Sequence, residues 1–387
     1  MTVGDTKPLE VAVVGAGITG LTLAAALRRA GIGVVVYEKT NAFGDIGAGI
    51  QLAPNAVRLL HRLGLADALA AVSVRSTAIE IRDGHTGRVR DLISLDDCEN
   101  RYGAPYYLLT RFDLHTLLAS QLPNDVVQLG KACVSVTESD AVVQCRFADG
   151  TGAEADVLIG ADGIRSAVRG ARMDDRPDYS GYSVYRGLVD ANGLPISFTE
   201  PRSVIWTGTD RHFVCYPVAG GRMVNFVATV SAQAWGAESW SEPGEVDDVL
   251  DAFADWDSLR PLIEAAGTVT RWGLHVREDG LDWTTDRTAL AGDAAHPMLP
   301  FTAQGAGQGI EDAVALTAAL TRHGDNVPLA LQAYEQARRP RAVKVQTLSR
   351  DMARTFHSNA TEPQQHPEAR LASDSLDWLF NHDAEAL

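Results

Sequence analysis

The sequence Val11-Ala-Val-Val-Gly15-Ala-Gly17-Ile-Thr-Gly20 is a short apolar run followed directly by a glycine loop. In this G-x-G-x-x-G pattern the first glycine allows a tight turn, the second lets backbone N–H groups approach a pyrophosphate, and the third lets a helix pack on the strand. The N-terminus of that helix adds a positive dipole and free N–H donors for the phosphates. The stretch therefore predicts the start of a dinucleotide-binding βαβ unit.

The residues that follow complete the unit. Residues 21–30 are helix formers closed by two glycines, and residues 34–37 form a second apolar run. Glu38 ends this run about 20 residues after the loop, where its carboxylate can accept hydrogen bonds from both ribose hydroxyls and would repel a 2′-phosphate. A glycine loop used only for packing would leave Glu38 unexplained. This motif alone does not distinguish FAD from NAD.

Length and composition limit the class of protein. The 387 residues are 45% hydrophobic and 22% charged, which is typical of a soluble globular protein with more than one domain. The net charge of -16 argues against a nucleic-acid partner, because binding phosphates requires a basic surface. The four cysteines lie far apart, so the sequence predicts neither a metal site nor a disulfide framework.

The N-terminus and one uncharged stretch bear on the location of the protein. The first residues are polar and lack the basic start of a signal peptide. Residues 11–27 carry no charge, but they are shorter than the ~20 residues of a membrane span and contain three glycines. We therefore expect a cytoplasmic protein with no membrane partner.

The rest of the chain alternates between two patterns. Helical stretches such as 53–72 belong to α/β segments, whereas 76–95 and 181–275 show the alternation typical of antiparallel strands. This predicts an α/β fold in which a Rossmann-like domain is interrupted twice by an antiparallel-sheet domain and followed by a long helix. The predicted parts are 1–75, 107–180 and 276–325 for the dinucleotide-binding domain, 76–106 and 181–275 for the substrate-binding sheet domain, and 326–387 for the C-terminal helix and tail.

Two later motifs distinguish the cofactor. Asp156-Val-Leu-Ile-Gly-Ala-Asp162-Gly163-Ile-Arg165-Ser is a strand, a turn and a helix start. Gly292-Asp293-Ala-Ala-His296-Pro297 precedes a second glycine loop, Gln304-Gly305-Ala306-Gly307, that opens a helix. With the first motif, in this order, they make the chain resemble the FAD-dependent aromatic hydroxylases, the single-component flavoprotein monooxygenases that include salicylate and 6-hydroxynicotinate hydroxylases. The resemblance covers almost the whole chain and implies FAD as cofactor and a p-hydroxybenzoate-hydroxylase-like fold.

The resemblance implies cofactor contacts for individual positions. Asp293 would hydrogen-bond the ribityl chain, Asp162 would support the pyrophosphate region, and Arg111 would contact a phosphate or the ribityl chain. Backbone N–H groups of residues 305–307 would face the pyrimidine edge of the flavin, where a helix dipole stabilises the anionic reduced form. Cys133 would lie by the adenine with an inert thiol. The cofactor-binding residues predicted in this way and from the first motif are Gly15, Gly17, Thr19, Gly20, Glu38, Lys39, Gln51, Arg111, Cys133, Asp162, Asp293, Gly305, Ala306 and Gly307.

The resemblance also implies a reaction. NADH or NADPH would reduce the flavin, and O2 would then form a C4a-hydroperoxide that an electron-rich ring attacks. The substrate would be a small hydroxylated aromatic or heteroaromatic acid, hydroxylated with or without loss of its carboxylate. The chain contains no second G-x-G-x-x-G for the nicotinamide dinucleotide, which would bind transiently. The protein would be a monomer or a homodimer.

His212 and Tyr216 are the predicted catalytic residues. They stand four apart on one predicted strand, hence on one face, too far apart for a direct hydrogen bond. They could form a relay with substrate or water between them, since the 6-hydroxynicotinate hydroxylases have a matching histidine and tyrosine that act as base and relay. The alternative is a surface histidine and a core tyrosine.

The predicted substrate residues are Arg186, Pro300 and Phe301. Arg186 could bind a substrate carboxylate, although a structural salt bridge explains it equally well. Phe301 and Gln51 stand where the 6-hydroxynicotinate enzyme carries histidines, which puts a pyridine substrate in doubt.

Two functions of other classes stay open at this point. One is an oxidase or dehydrogenase of a small amine or alcohol on the same FAD scaffold. The other is a non-catalytic FAD-binding redox module. Substrate-dependent NADH use with a hydroxylated ring product would separate the monooxygenase from both.

Overall fold

The computed structural model describes residues 9–44, 48–232, 242–277, 280, 282–324, 326–357 and 373–386. The helices of this part of the chain are α1 (Ile18–Arg29), α2 (Pro54–Arg62), α3 (Ala66–Val72), α4 (Cys98–Tyr102), α5 (Arg111–Ser120), α6 (Ala167–Gly170), α7 (Ile196–Thr199), α8 (Val246–Ala252), α9 (Arg260–Glu264), α10 (Gly305–His323), α11 (Val327–Phe356) and α12 (Ser373–Phe380).

The strands of the same residues are β1 (Glu10–Val14), β2 (Gly33–Tyr37), β3 (Gly49–Leu52), β4 (Val74–Arg75), β5 (Ala78–Asp83), β6 (Val89–Ser94), β7 (Tyr107–Thr110), β8 (Val127–Gln128), β9 (Cys133–Glu138), β10 (Val143–Phe147), β11 (Gly152–Ala155), β12 (Val157–Gly160), β13 (Asp178–Asp190), β14 (Arg202–Gly208), β15 (Arg211–Val218), β16 (Met223–Ser231), β17 (Glu242–Gly244), β18 (Val269–Val276) and β19 (Thr288–Leu290).

A five-stranded parallel sheet holds the first motif. Its order is β19-β12-β1-β2-β8, with β1 in the centre. Gly15 follows β1 with φ 104°, and a Cβ there would stand 2.5 Å from the carbonyl oxygen of Ala161. A Cβ on Gly20 would stand 1.9 Å from the carbonyl oxygen of Gly15. Both positions therefore need glycine so that α1 can leave the strand as the motif predicts.

An eight-stranded sheet forms the second layer of the molecule. Its order is β17-β18-β13-β16-β15-β14-β5-β6, and its pairs are antiparallel except for β14 with β5. One face packs on α8 and α9 through side chains such as Phe213 and Phe226. The opposite face packs against α11 and the 3₁₀ turn Pro300–Thr302 through side chains such as Tyr216 and Trp272. This second face looks toward the glycine motifs.

The register of the eight-stranded sheet aligns three strands at the centre of that face. Arg186 on β13 pairs with Val227 on β16, and Val227 pairs with Val214 on β15. Val214 lies midway between His212 and Tyr216. Because side chains two residues apart share a face, Arg186 stands level with the middle of the His212–Tyr216 pair.

Helices α10 and α11 are joined by buried ion pairs. Arg338 Nε donates to Asp312 Oδ1 at 2.8 Å, and the Arg338 Nη1 to Glu311 Oε2 distance is 2.5 Å. Arg341 Nε donates to Glu311 Oε2 at 2.7 Å. All four side chains are buried, and Asn55 Nδ2 on α2 also donates to Glu311. The network fixes the N-terminal half of α10 against the rest of the fold.

The helical stretch 53–72 forms two helices, because Gly64 adopts φ 89° and separates α2 from α3.

The C-terminal helix α12 packs on the body of the protein. Leu379 and Phe380 are buried, and the Trp378 ring lies under the Arg341 guanidinium. The predicted domain ranges include residues 1–8, 233–241 and 358–372, which lie outside the described residues. No helix of the described residues is both long and apolar enough to span a membrane.

Candidate active site

The first glycine loop leaves open space where a phosphate would bind. A Cβ on Gly17 would have no atom within 4 Å, beside the N-terminus of α1. Glu38 at the end of β2 accepts hydrogen bonds from Ala16 N at 2.8 Å and from Thr40 N at 2.9 Å, one on each carboxylate oxygen. Each oxygen keeps a further lone pair for a ribose hydroxyl. Loop, helix end and carboxylate thus fit the pyrophosphate and ribose of a dinucleotide.

Thr19 connects the three motifs by packing. A Cβ on Gly292, where φ is 60°, would stand 2.5 Å from Thr19 Oγ1, and a Cβ on Gly309 would stand 2.1 Å from the same atom. Gly292 precedes the predicted flavin residue Asp293, and Gly309 lies on α10. The Thr19 side chain therefore fills the contact between α1, this turn and α10. A cofactor contact of Thr19 stays a prediction.

Arg111, Asp293 and Glu38 interact electrostatically although they are far apart in sequence. Burial lowers the pKa of Arg111, while Asp293 and Glu38 act in the opposite direction. Burial raises the pKa of Asp293, against the attraction of His296 and Arg111. Arg111 thus feels the charges of two other predicted cofactor residues, and burial affects both Arg111 and Asp293. The N-terminus of α10, with the predicted residues Gly305, Ala306 and Gly307, begins twelve residues after Asp293.

Asp162 offers an unused buried acceptor. Its Oδ2 accepts from Ala167 N at 2.7 Å at the start of α6. Its Oδ1 is buried and has no hydrogen-bond partner among the described residues, and burial raises the pKa of this carboxyl. A buried oxygen without a donor is costly, so it fits a hydrogen bond from a bound group.

The three remaining predicted cofactor residues, Cys133, Lys39 and Gln51, differ in burial and in hydrogen bonding. Burial raises the pKa of the Cys133 thiol to about 12, which keeps the thiol protonated and unreactive. Lys39 is exposed next to Glu38. The side chain of Gln51 on β3 accepts from Tyr106 Oη at 2.9 Å. Gln51 also acts to lower the pKa of Tyr216, against the larger effect of burial, so it lies beside two buried tyrosines.

A cavity of about 170 Å³ opens between the eight-stranded sheet and the Asp293 turn. Arg186 extends into it, with its guanidinium carbon 4.0 Å from the centre of the Trp272 ring. Its lining residues are Ile164, Arg165, Pro177, Arg186, Trp272, Gly273, Leu274, His275, Asp293, Pro297, Met298 and Pro300. The predicted substrate residues Arg186 and Pro300 and the predicted flavin residue Asp293 therefore share one cavity.

The charge of Arg186 is not neutralised by the protein around it. Its side chain forms no ion pair with any described residue, and its Nε is buried without an acceptor. Burial lowers the pKa of Arg186 to about 10, so the group stays cationic at neutral pH. The structural salt bridge considered from the sequence is therefore not formed among these residues. A cation held in this way can bind an anionic ligand.

His212 and Tyr216 are both buried on β15, on the face that carries Arg186. His212 is 2% exposed, so the alternative of a surface histidine is wrong. Its Nδ1 lies 2.7 Å from Nε2 of His357, the residue that ends α11, and its ring centre lies 5.0 Å from that of Phe301. Burial raises the pKa of Tyr216, which keeps the phenol protonated. The base and relay roles stay predictions.

The structure adds three residues that the sequence did not single out. His357 contacts His212, Trp272 stacks on Arg186, and Asn225 Oδ1 accepts from Gly49 N at 2.7 Å beside Tyr216. No motif surrounds any of them. Their positions follow from sheet register and from the end of a long helix, which a single sequence does not specify.

Comparison with known proteins agrees with this geometry. The family described as FAD binding domain matches residues 8–349. The chain belongs to this FAD-binding family. It is 43% identical over 390 residues to 3-amino-4-hydroxybenzoate 2-monooxygenase of Streptomyces platensis, covering 99% of this chain and 98% of that protein. It is 36% identical to 6-hydroxynicotinate 3-monooxygenase of Bordetella bronchiseptica, covering 98% and 96%.

A solved structure extends the match to the fold of this FAD-binding protein. A salicylate hydroxylase substrate complex superposes with a TM-score of 0.84 at 29% identity, over 98% of this chain and 97% of that one. The predicted family, the predicted fold and the predicted FAD cofactor are confirmed. The predicted enzyme class, an aromatic-ring monooxygenase, is confirmed and takes precedence over the oxidase and the non-catalytic module.

Proposed function

We propose that this FAD-dependent monooxygenase hydroxylates a small benzoate that carries a ring hydroxyl, and that Arg186 binds the carboxylate. The observation that carries this proposal is the unpaired Arg186 guanidinium in the cavity beside Asp293. FAD, when bound, supplies the redox chemistry with NAD(P)H and O2. The chain supplies binding, orientation and exclusion of water.

Several residues would hold FAD. Glu38 and the space beside Gly17 fit the ribose and pyrophosphate, Asp162 offers its free Oδ1, and Asp293 and Arg111, which interact electrostatically, would contact the ribityl chain. The first turn of α10 presents backbone N–H groups and the positive end of the helix dipole, which favour negative charge at the flavin ring.

Arg186 is well suited to orient a carboxylate. A guanidinium donates two parallel N–H bonds to a carboxylate, which fixes the plane of the ligand as well as its position. Stacking on Trp272 restricts the guanidinium before the ligand arrives. Arg186 is level with Val214, between His212 and Tyr216 on β15, but neither of these two side chains lines the cavity, so contact of a bound ring with them stays a prediction.

The cavity is lined by both apolar and polar side chains. Ile164, Leu274, Met298 and Pro300 lie beside the Trp272 indole, and the polar part of the wall includes Arg165, His275 and Asp293. Once FAD and substrate fill this space, exclusion of water would strengthen each electrostatic contact and limit the loss of activated oxygen as hydrogen peroxide.

Sequence identity supports a benzoate over a pyridine, because the benzoate enzyme reported above is 43% identical to this chain and the 6-hydroxynicotinate enzyme is 36% identical. The 43%-identical relative is named for 3-amino-4-hydroxybenzoate, a benzoate with both a hydroxyl and an amino group. We therefore propose hydroxybenzoates, including those with an additional amino group, as the substrate class of this chain. The proposal includes a cytoplasmic location, where NAD(P)H is available, and a monomer or a homodimer.

The test is a substrate screen on the purified FAD-loaded protein. Hydroxybenzoates, aminohydroxybenzoates and 6-hydroxynicotinate are added in turn, and NADH and NADPH oxidation, product mass and H2O2 are measured. We expect a hydroxybenzoate to give a product that contains one oxygen atom from O2. Phenols of the same substitution without the carboxylate should be poor substrates. Equal activity on the phenols, or H2O2 as the sole oxygen product for every acid, would refute the proposal.

A further inference from the structure

His212 and His357 form a buried histidine pair that no motif predicts. The 2.7 Å contact joins His212 Nδ1 on the eight-stranded sheet to His357 Nε2 at the end of α11, 145 residues later. The surrounding rings are those of Phe301, Phe356 and Tyr182, with centres 5.0 to 5.2 Å from one of the two imidazoles. The pair is thus held in aromatic surroundings next to the predicted substrate residue Phe301.

Both imidazoles are neutral at physiological pH. Burial lowers the pKa of His212 well below its ordinary value, and the neighbouring His357 lowers it further. Burial lowers the pKa of His357 to about 4, although Asp210 attracts a proton to it. Tyr182, whose ring packs on His357, has a raised pKa and is also uncharged. Two neutral rings share one hydrogen in their contact, so one ring donates and the other accepts.

The direction of this hydrogen bond follows from the surroundings of His357 Nδ1, the ring nitrogen that does not contact His212. His357 Nδ1 is buried and has no hydrogen-bond partner among the described residues. If His212 donated, His357 Nδ1 would have to carry a buried N–H with no acceptor. If His357 donates through Nε2–H, its Nδ1 is an unprotonated acceptor. Buried N–H groups without partners are rarer than under-used acceptors, so the second arrangement is favoured.

We infer that His357 is a positioning residue, which donates Nε2–H to His212 Nδ1 and so fixes the tautomer of His212 with its hydrogen on Nε2. In that tautomer Nε2 of His212 carries the hydrogen, so toward an ionised ring hydroxyl of the proposed substrate His212 would act as a donor. This gives His212 the role of stabilising the oxyanion and leaves removal of the hydroxyl proton to another group or to water. The substrate half of the inference rests on the proposed function, whereas the tautomer half does not.

The tautomer is measured directly by NMR. The FAD-loaded protein is labelled with ¹⁵N-histidine, and long-range ¹H–¹⁵N correlation separates protonated from unprotonated ring nitrogens. The His212 signals are those lost in His212→Gln. We expect the hydrogen on Nε2 of His212 and on Nε2 of His357. A hydrogen on Nδ1 of His212 would overturn the inference, even if the protein hydroxylates a benzoate as proposed.

Two substitutions of His357 with similar side-chain length test the direction of this hydrogen bond: one keeps a donor to His212 and the other replaces it by an acceptor. In His357→Gln the amide still donates to His212 Nδ1, so the Nε2–H tautomer should persist. In His357→Glu the carboxylate accepts from Nδ1–H, so the hydrogen of His212 should move to Nδ1. His85→Gln, at an exposed position, serves as the matched control. An unchanged His212 signal in His357→Glu would contradict the inference.

Once a substrate is known, steady-state kinetics of the same variants test whether the tautomer of His212 affects the reaction. We expect kcat to fall about tenfold or more in His357→Glu, to stay within about threefold in His357→Gln, and to be unchanged in His85→Gln. The kcat profile of His357→Glu should gain an ionisation near neutral pH, because a carboxylate raises the pKa of His212. Equal losses in the Gln and Glu variants, with no new ionisation, would show a merely structural role and refute the inference.

Discussion

Arg186 stacks on the indole of Trp272, with 4.0 Å between the guanidinium carbon and the ring centre. A cation over an aromatic face is stabilised without an acidic partner, so the charge can stay available for a ligand. The two residues come from neighbouring strands, β13 and β18, whose antiparallel register pairs Trp272 with Val184, two residues from Arg186. The register of the sheet therefore places the Trp272 ring against the Arg186 guanidinium.

The first prediction concerns Arg186 itself. Arg186→Gln should raise KM for a hydroxybenzoate by about 10- to 100-fold, because a hydrogen-bonded charge contributes about 1.5–3 kcal/mol. Arg186→Lys should recover part of this loss, since lysine restores the charge without the paired N–H donors. Steady-state kinetics on the substrate found in the screen give both values.

The control for this prediction uses a phenol and a distant arginine. With a carboxylate-free phenol, the wild type and Arg186→Gln should differ little. Arg222→Gln removes an exposed arginine of the same sheet domain and should leave KM unchanged. If Arg186→Gln raised KM equally for the acid and the phenol, carboxylate binding by Arg186 would be wrong.

The second prediction concerns the contact between Thr19 and α10. A Cβ on Gly309 would stand 2.1 Å from Thr19 Oγ1, so Gly309→Ala should destabilise the protein by about 1–3 kcal/mol. In Thr19→Ala/Gly309→Ala that oxygen is absent, and the nearest remaining contact of the new methyl is 3.3 Å. The double variant should therefore regain much of the loss. Urea unfolding of the four proteins measures this coupling; additive losses would contradict it.

The third prediction concerns Glu38 and FAD affinity. Glu38→Gln replaces one carboxylate oxygen by an NH2 group, which cannot accept from Ala16 N or Thr40 N and cannot accept a ribose hydroxyl. FAD should bind about 10-fold more weakly or worse, as measured by quenching of flavin fluorescence on reconstitution. Glu154→Gln, on the exposed strand β11, should bind FAD as the wild type does. Unchanged affinity of Glu38→Gln would remove Glu38 from the cofactor site.

The sequence predicts those parts of the molecule in which the constraints on a residue come from its neighbours in the chain. Gly15 and Gly20 could be identified because a strand, a tight turn and a helix within ten residues leave no room for a Cβ. Glu38 could be identified because its distance from that loop is set by one helix and one strand. These constraints involve neighbours in the chain, so they can be read from one sequence.

Contacts between distant segments could not be predicted in this way. His357 lies 145 residues from His212, at the end of a helix whose length and packing decide where it ends. The unpaired state of Arg186 depends equally on every neighbour of the cavity, none of which supplies a carboxylate to it among the described residues. From the sequence, a salt bridge and a ligand site were therefore equal alternatives.

The fourth prediction concerns acid stability through Glu311. Burial by itself would raise the pKa of Glu311, but Arg338 and Arg341 outweigh it and hold the pKa at about 2, below the ordinary 4.5. In the range between these values the unfolded chain binds a proton at this residue and the folded protein does not. The stabilisation from Glu311 is therefore complete above about pH 4.5 and is lost as the pH falls toward 2.

Glu311→Gln separates this contribution from the other acids. At pH 7 the variant leaves Arg338 and Arg341 without a buried anionic partner at that position and should lose about 3–5 kcal/mol of unfolding free energy. Because protonation of Glu311 in the unfolded wild type lowers the stability of the wild type in acid, the difference between the two proteins should shrink as the pH falls below about 4.5. Urea unfolding from pH 7 to pH 3 measures it. A difference that stayed constant over this range would mean that Glu311 is not the ionised partner of the two arginines.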